Sequence, residues 1–196
     1  KAALQADARL PVRPDVPLIG IVSRLIDQKG FDLIAAIADA LLRHLRCQLV
    51  VMGTGEMRYH DMLNALAARY PDQVSVHLTF NRPMEQRIYA GSDIFLMPSR
   101  FEPCGLNQMV AMRYGSVPGV HLVGGLADTV HDYAPETGEG NGFGFAQYDA
   151  MALYTALVRA VEIYRHADDW RTLQRRCMAT DFSWRRSAGR YVDLYQ

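Results

Sequence analysis

Residues 93–115 read DIFLMPSRFEPCGLNQMVAMRYG, and this stretch indicates both the fold and the place of a functional site. The apolar run Asp93–Met97 predicts a buried strand, and Leu106–Tyr114 has the apolar spacing of a helix. The loop between them is therefore a strand-to-helix crossing, where α/β proteins bind their ligands. It places the carboxylate of Glu102 in a predicted pocket. Gly105 is predicted to open the helix, whose free N–H groups and positive dipole end suit a phosphate.

The same strand-and-helix unit recurs along the chain. Apolar runs predict further strands at Leu18–Ser23, Gln48–Met52, Val74–Thr79 and Val117–Val120. Apolar spacing predicts further helices at Phe31–Leu45, Met57–Arg69, Met84–Ala90, Asp149–Tyr164, Asp168–Met178 and Trp184–Tyr195. The last of these helices has an apolar face that we interpret as a packing face, and glycines predict a loop at Gly138–Phe145. The alternation predicts an α/β fold with a Rossmann-like, doubly wound parallel sheet, in one domain of residues 1–196.

Composition excludes several classes of partner and site. Acidic and basic residues balance at 21 each, so bulk charge favours neither a nucleic acid nor an anionic membrane as partner. The chain has neither the apolar stretch of a membrane span nor a signal-peptide pattern. The odd number of widely spaced cysteines fits a reducing, intracellular compartment. The three cysteines and six histidines lack the spacing of a disulfide framework or a metal site. No metal is therefore predicted.

Two cations stand five residues apart in the loop after the first strand. Arg24 and Lys29 lie at the predicted sheet edge that also carries Glu102, because the loops after parallel strands converge on one crevice. Such a pair can hold a diphosphate, the arginine by bidentate hydrogen bonds and the lysine as a point charge. Spacing alone is equally compatible with a solvated surface loop.

An aromatic residue follows the third predicted strand. Phe80 can stack on a nucleotide base at the mouth of the same crevice. An aromatic residue in this position is more often part of the core, and that alternative stays open.

Several segments, in order and at matching spacing, resemble the bacterial glycogen synthases and plant starch synthases. The matching segments are Ser23–Leu25, Gln28–Gly30, Pro98–Gln108, Ala111–Gly115, Gly124–Val130 and Asp181–Trp184. Members of this family are retaining glucosyltransferases of the GT-B class, built from two Rossmann-like domains. The resemblance covers nearly the whole chain and implies the C-terminal, donor-binding domain. It also implies that this chain lacks the N-terminal, acceptor-binding domain and is inactive alone, as expected of a fragment that begins at Lys1 without an initiating methionine.

The resemblance implies roles for residues at matching positions. Arg24 and Lys29 would neutralise the diphosphate of ADP-glucose, Glu102 would bind the glucose hydroxyls, and these three form the expected catalytic set. The implied donor-binding set consists of a base-stacking aromatic residue and backbone contacts to sugar and phosphate, namely Phe80, Cys104, Gly105, Leu106, Gly124 and Gly125. Val110 stands where many retaining relatives carry a second glutamate that binds ribose, so no ribose ligand is assigned.

The function implied is transfer of glucose from ADP-glucose to the non-reducing end of an α-1,4-glucan with retention of configuration. The expected partners are ADP-glucose and, through the N-terminal domain, the α-glucan acceptor. No cofactor beyond this donor substrate is expected. The expected location is the bacterial cytoplasm, or the plastid stroma in a plant or alga.

Three alternatives remain. The first keeps the fold and uses UDP-glucose as donor. The second is a non-catalytic nucleotide-binding or glucan-associated module, which the combination of Arg24, Lys29 and Glu102 disfavours. The third is a dinucleotide-dependent dehydrogenase domain, which is disfavoured because the first strand is not followed by a Gly-x-Gly-x-x-Gly turn.

Overall fold

The computed structural model describes residues 1–195, apart from the side chain of Arg190, and contains a six-stranded parallel sheet. The strands are β1 (Leu18–Val22), β2 (Gln48–Met52), β3 (Val74–His77), β4 (Ile94–Met97), β5 (Val117–His121) and β6 (Phe143–Phe145). Their order across the sheet is β3-β2-β1-β4-β5-β6, and every neighbouring pair is parallel. The chain runs outward in one direction from β1 to β3 and in the other from β4 to β6. This is a Rossmann-like topology, which confirms the predicted fold class.

Nine helices surround the sheet in the described part of the chain. They are α1 (Ala2–Asp7), α2 (Phe31–Leu45), α3 (Met57–Arg69), α4 (Arg82–Gly91), α5 (Asn107–Arg113), α6 (Gly125–Thr129), α7 (Ala150–Tyr164), α8 (Ala167–Ala179) and α9 (Trp184–Tyr195). Sequence periodicity predicts α2, α3 and α9 at their observed bounds. It misses α1, which is too short to be stable alone and is held by tertiary contacts of the buried residues Leu4 and Gln5. None of the described helices has the length and hydropathy that crossing a membrane requires.

Alternate residues of the strands form two hydrophobic cores. Ile19 and Ile21 of β1 belong to the core that α2, α3, α7 and α8 cover. Leu18 and Val22 belong to the core on the other face, which α1, α4 and α6 cover. Side chains two residues apart on a strand share a face, so β1, β2, β4 and β5 each supply both cores. The sheet is therefore buried on both sides, as a parallel sheet requires.

The end of the predicted glycine-rich loop is a strand. Phe143–Phe145 forms β6 beside β5, with Gly119 opposite Phe143 and His121 opposite Phe145. Both phenylalanines are buried. Glycine is unfavourable in strands, so the local composition conceals this element, and the burial of the two aromatic rings stabilises it.

The packing that we predict for the last helix is not observed. In α9, Trp184 is 85% exposed, Tyr191 is 62% exposed and Leu194 is 75% exposed. The apolar spacing predicts the helix correctly, but the described part of the chain supplies no surface that covers its apolar face. Helical periodicity identifies an apolar face without identifying what the face packs against.

Candidate functional site

The loops after β1 and β4 meet at the carboxyl edge of the sheet. These two strands are neighbours at the point where the strand order reverses, which is where open α/β sheets bind ligands. Lys29 Nζ lies 2.5 Å from Glu102 Oε2, and the two side chains are only 18% and 11% exposed. The structure therefore confirms that these two predicted residues share one edge, and it joins them as an ion pair.

Lys29 is presented by a tight turn that lies against the loop of Glu102. Residues Asp27–Lys29 form one turn of 3-10 helix, and the turn ends at Gly30 with a φ of 80°. The backbone N–H of Arg100 donates to the carbonyl of Gln28 over 2.9 Å. A Cβ atom on Gly30 would lie 2.1 Å from the carbonyl oxygen of Pro98. Glycine is therefore required where the turn approaches the second loop.

The two carboxylate oxygens of Glu102 differ in their contacts. Oε2 accepts the Lys29 ammonium and, over 3.3 Å, the hydroxyl of Ser99. Oε1 accepts no hydrogen bond from the residues that the structure describes. The loop behind is held by His121, whose Nδ1 lies 2.8 Å from the Ser99 carbonyl oxygen. The pair with Lys29 thus orients the carboxylate while one oxygen keeps its capacity to accept from a ligand hydroxyl.

The glycine pair Gly124 and Gly125 packs against the same loop. The Gly125 N–H donates to the Glu102 carbonyl over 3.1 Å. A Cβ atom on Gly124 would lie 2.3 Å from that carbonyl oxygen, and one on Gly125 would lie 2.0 Å from the carbonyl oxygen of Cys104. The close approach that these glycines permit in this structure is between the start of α6 and the loop that carries Glu102.

The helix after this loop begins one residue after the predicted Leu106, and Gly105 does not open it. Gly105 has a φ of 72° and cannot belong to a right-handed helix, so α5 begins at Asn107. Gln108 is fully buried, and its Nε2 donates to the Gly105 carbonyl over 2.9 Å and to Thr129 Oγ1 over 3.1 Å. Sequence reasoning assigns no role to Gln108. Its signal is its place one helical turn after Gly105, from which a side chain can reach back to the loop.

Two cavities open beside the Glu102 loop. The smaller, about 180 Å³, is lined by residues that include Arg24, Lys29 and Ser99. The larger, about 760 Å³, is lined by residues that include Cys104 and Leu106, together with Gly125 of the glycine pair. We place the chemistry at the smaller cavity because it contains the two predicted cations. Since ligand pockets usually exceed about 300 Å³, a ligand of ordinary size would extend beyond this cavity.

Arg24 and Phe80 lie at the rim of the site. The Arg24 side chain is exposed and forms no ion pair or hydrogen bond with any described residue. Phe80 follows β3 and is 68% exposed, so the alternative that it belongs to the core is wrong. The strands β3 and β4 are three positions apart in the sheet, which separates the ends of their loops by roughly 14 Å at ~4.8 Å per strand.

Fixed charges surround the turn that carries Lys29. The pKa of the Asp27 carboxyl is lowered, first by a hydrogen bond from the Tyr59 hydroxyl and then by the Arg58 guanidinium, whose Nη2 lies 2.8 Å from Asp27 Oδ1.

Among the residues described here, no group of three or more His, Cys, Asp or Glu side chains could hold a metal ion.

Comparisons with known proteins agree on one family. The model of the family "Glycosyl transferases group 1" matches residues 5–176. A glycogen synthase of Desulforudis audaxviator is 52% identical over 197 residues, which cover all of this chain and 39% of that protein. A glycogen synthase of Kosmotoga olearia is 53% identical over all of this chain and 41% of its own length. The chain thus spans about two fifths of the curated relatives it matches.

Solved structures show the same fold. The catalytic domain of starch synthase IV from Arabidopsis thaliana, bound to ADP and acarbose, is 36% identical with a TM-score of 0.88. The match covers 98% of this chain and 41% of that one. Sucrose-phosphate synthase from Thermosynechococcus elongatus has a TM-score of 0.70 at 25% identity, over all of this chain and 48% of that one.

Proposed function

This chain belongs to the group 1 glycosyl transferases, and on that premise we propose that it is the donor-binding domain of a glucan synthase. The reaction proposed is transfer of glucose from ADP-glucose to the non-reducing end of an α-1,4-glucan with retention of configuration. The observation that carries the proposal is the Lys29–Glu102 pair at the point where strand order reverses, with one Glu102 oxygen free to accept. The glycogen synthases, which are 52% and 53% identical to this chain, support a glucan as the substrate class.

Lys29 and Arg24 are proposed to stabilise the departing nucleoside diphosphate. An ammonium group has three donor hydrogens, and Glu102 takes one of them, so two remain for phosphate oxygens. The exposed Arg24 guanidinium can add a bidentate contact at the rim of the same cavity. Groups held in place before the reaction stabilise the charge that develops on the leaving group without reorganisation.

Glu102 is proposed to act on the glucose. Its free oxygen, Oε1, can accept a hydrogen bond from a sugar hydroxyl. Bond breaking develops positive charge at the anomeric carbon, as in an oxocarbenium-like transition state, and a nearby carboxylate stabilises such a centre. The backbone of Cys104, Gly105 and Leu106 follows Glu102 directly and is proposed to contact sugar and phosphate.

The nucleotide is proposed to lie along the carboxyl edge of the sheet. Its base would stack on Phe80 after β3 and its glucose would reach Glu102 after β4. The roughly 14 Å between these loops requires an extended nucleotide sugar. The starch synthase IV structure, which is bound to ADP, supports an adenine nucleotide as the ligand.

The acceptor is proposed to bind outside this chain. The curated relatives are more than twice as long as the part of them that this chain matches. The acarbose in the starch synthase IV structure supports an α-glucan as acceptor.

The test is a comparison of donors and a substitution in the full-length protein. We expect calorimetric titration to show binding of ADP and ADP-glucose in preference to UDP-glucose and NAD. We expect Lys29→Ala to lower kcat by about 10²- to 10³-fold, since it removes one preorganised donor to the leaving group. Arg165→Ala is the control because it removes an exposed cation whose one ion pair with a described residue is with Glu162 on α7.

Three contrary outcomes would change the donor, the class of protein or the role of Lys29. Preference for UDP-glucose would change the donor, and binding of NAD alone would support a dehydrogenase. A Lys29→Ala protein with the kcat of the Arg165→Ala control would contradict the role of Lys29.

A further inference from the structure

A third loop reaches the Lys29–Glu102 pair without touching either residue. Tyr148 follows β6 by three residues, and β6 lies two strands away from β4 in the sheet. Its hydroxyl donates to Asp32 Oδ1 over 2.5 Å and lies 3.3 Å from the Asp27 carbonyl oxygen. Asp27 begins the turn that carries Lys29, and Asp32 lies just after the end of this turn. One hydroxyl therefore contacts both sides of the lysine turn.

The same tyrosine contacts the loop of Glu102. The guanidinium of Arg100 lies 4.5 Å from the centre of the Tyr148 ring, and Arg100 Nη2 lies 2.9 Å from Asp32 Oδ2. Arg100 is two residues before Glu102. The ring of Tyr148 also contacts the ring of His121 edge-on, with 5.3 Å between the ring centres. His121 is in turn hydrogen-bonded to the Ser99 carbonyl.

The geometry assigns to Tyr148 a positioning role in the proposed reaction. We propose that Tyr148, with Asp32 and Arg100, holds the Lys29 turn against the Glu102 loop and so sets the affinity for the diphosphate of the donor. This inference rests on the proposed function and extends it to a residue that lines neither of the two cavities and lies outside the resembling motifs.

Residues of α3 also hold the Lys29 turn, through contacts that differ from those of Tyr148. The Tyr59 hydroxyl and the Arg58 guanidinium both bond to Asp27 Oδ1 from α3. Tyr148 and Asp32 hold the turn from the side of β6 and α2. Without the Tyr148 hydroxyl, the turn keeps only its contacts from α3 and from the Glu102 loop. We therefore expect the turn to shift and Lys29 Nζ to move. A displacement of about 1 Å at a reacting group can reduce a rate by about 10²-fold.

The hydroxyl can be removed alone. Tyr148→Phe keeps the ring with its contacts to His121 and to the Arg100 guanidinium. It loses the hydroxyl, and with it the hydrogen bond to Asp32 and the contacts with the Asp27 carbonyl and Arg100. Tyr164→Phe is the matched control. The Tyr164 hydroxyl is also part-buried and lies at the opposite edge of the sheet, where it donates to the Pro14 carbonyl over 2.7 Å and accepts from Lys1 Nζ over 2.6 Å.

The experiment is a double-mutant cycle on nucleotide affinity in the full-length protein. ADP and UDP are titrated separately, and the tighter ligand is used for the cycle. We expect Tyr148→Phe to raise Kd by about tenfold, because a displaced Lys29 loses a charge-assisted hydrogen bond to the diphosphate. We expect Tyr164→Phe to leave Kd within about twofold. In a Lys29→Ala background we expect Tyr148→Phe to change Kd by less than about twofold, because its effect is exerted through Lys29.

The outcomes separate this inference from the proposed function. Equal Kd values for Tyr148→Phe and Tyr164→Phe, or a tenfold effect that persists in the Lys29→Ala background, would overturn the positioning role and leave the proposed function standing. Tighter binding of UDP with the expected coupling would support the positioning role and change the proposed donor. Binding of neither nucleotide would overturn both.

Discussion

At the scale of single residues, the site depends on how Glu102 divides its contacts. Oε2 is held by Lys29 and Ser99, while Oε1 accepts from no described residue. A carboxylate in this state is oriented by the protein and retains one oxygen for a ligand. Because the side chain is only 11% exposed, loss of its charge changes both the ion pair with Lys29 and the electrostatic field in the adjoining cavity.

Glu102→Gln tests this division of roles. The amide keeps the shape but loses the charge, so it weakens the bond to Lys29 and the stabilisation of positive charge on the sugar. We expect kcat for glucosyl transfer in the full-length protein to fall by about 10²-fold or more. Glu162→Gln is the control, because Glu162 pairs with Arg165 at the surface and is 57% exposed. Initial rates at saturating donor decide the matter, and equal values for the two variants would contradict the role of Glu102.

The three cysteines are expected to differ in reactivity. Burial raises the pKa of the Cys47 and Cys177 thiols to about 12, whereas Cys104 is exposed. The thiolate is the reactive form, so the two buried thiols stay protonated and inert well above neutral pH. We expect the labelling of Cys47 and Cys177 by a disulfide reagent to stay slow up to about pH 10, while Cys104 reacts at pH 8. Comparison with Cys104→Ser identifies the fast thiol, and an unchanged fast phase in that variant would refute the assignment.

At the scale of elements, the turn between β1 and α2 and the loop after β4 form one unit. The turn ends at Gly30, which is left-handed and lies against the Pro98 carbonyl. The backbone bond from Arg100 to Gln28 joins the same two segments. The position of Lys29 is therefore a property of how two loops pack, and a Cβ atom at Gly30 would separate them.

Alanine substitutions at three glycines separate the cost of the left-handed backbone from the cost of the clash with Pro98. Gly30→Ala introduces a left-handed alanine and a clash, so we expect the free energy of unfolding to fall by about 2–4 kcal/mol. Gly138 has a φ of 67° with nothing within 4 Å of an added Cβ, so Gly138→Ala should cost only about 1–2 kcal/mol. Gly189 lies in α9 with open space around it, and Gly189→Ala should stabilise the helix by up to about 1 kcal/mol.

Urea unfolding at constant m-value measures the three differences. Equal losses for Gly30→Ala and Gly138→Ala would show that the contact with Pro98 does not matter to stability.

At the scale of the whole molecule, the sheet joins its two cores into one structure. Each strand of the centre supplies side chains to both faces, so neither core can form while the other is lost. The site lies at the edge of this sheet, where the loops from β1, β4 and β6 meet. Its geometry therefore depends on the integrity of all layers.

This chain is expected to fold by itself and to unfold in one cooperative transition. Leu157 in α7 belongs to one core and Ile88 in α4 to the other, and both are buried. Leu157→Ala and Ile88→Ala should each lower the free energy of unfolding by about 2–5 kcal/mol. Both should shift a single transition, followed by far-UV circular dichroism and by tryptophan fluorescence. Separate transitions for the two variants would show that the cores are independent, against the prediction of one domain.

Much of this arrangement follows from local sequence signals. Apolar runs predict five of the six strands, and the period of the apolar residues predicts the bounds of α2, α3 and α9, because both patterns reflect burial directly. The parallel topology then places Lys29 and Glu102 at one edge without further information, since loops after parallel strands converge. The resemblance to the synthases adds the roles of these residues as a prediction.

Contacts between segments distant in sequence were decided only by the tertiary structure. Periodicity conceals β6, because its glycines disfavour a strand until Phe143 and Phe145 are buried against β5. It cannot show that Glu102 forms its ion pair with Lys29 through a single oxygen, or that Tyr148 contacts both Asp32 and Arg100. The sequence by itself thus determined which elements form and at which edge their charged residues gather. The tertiary structure decided which atoms meet. A hydrogen bond forms only when donor and acceptor are placed to within a few tenths of an ångström, and only the packing of all the loops sets these positions.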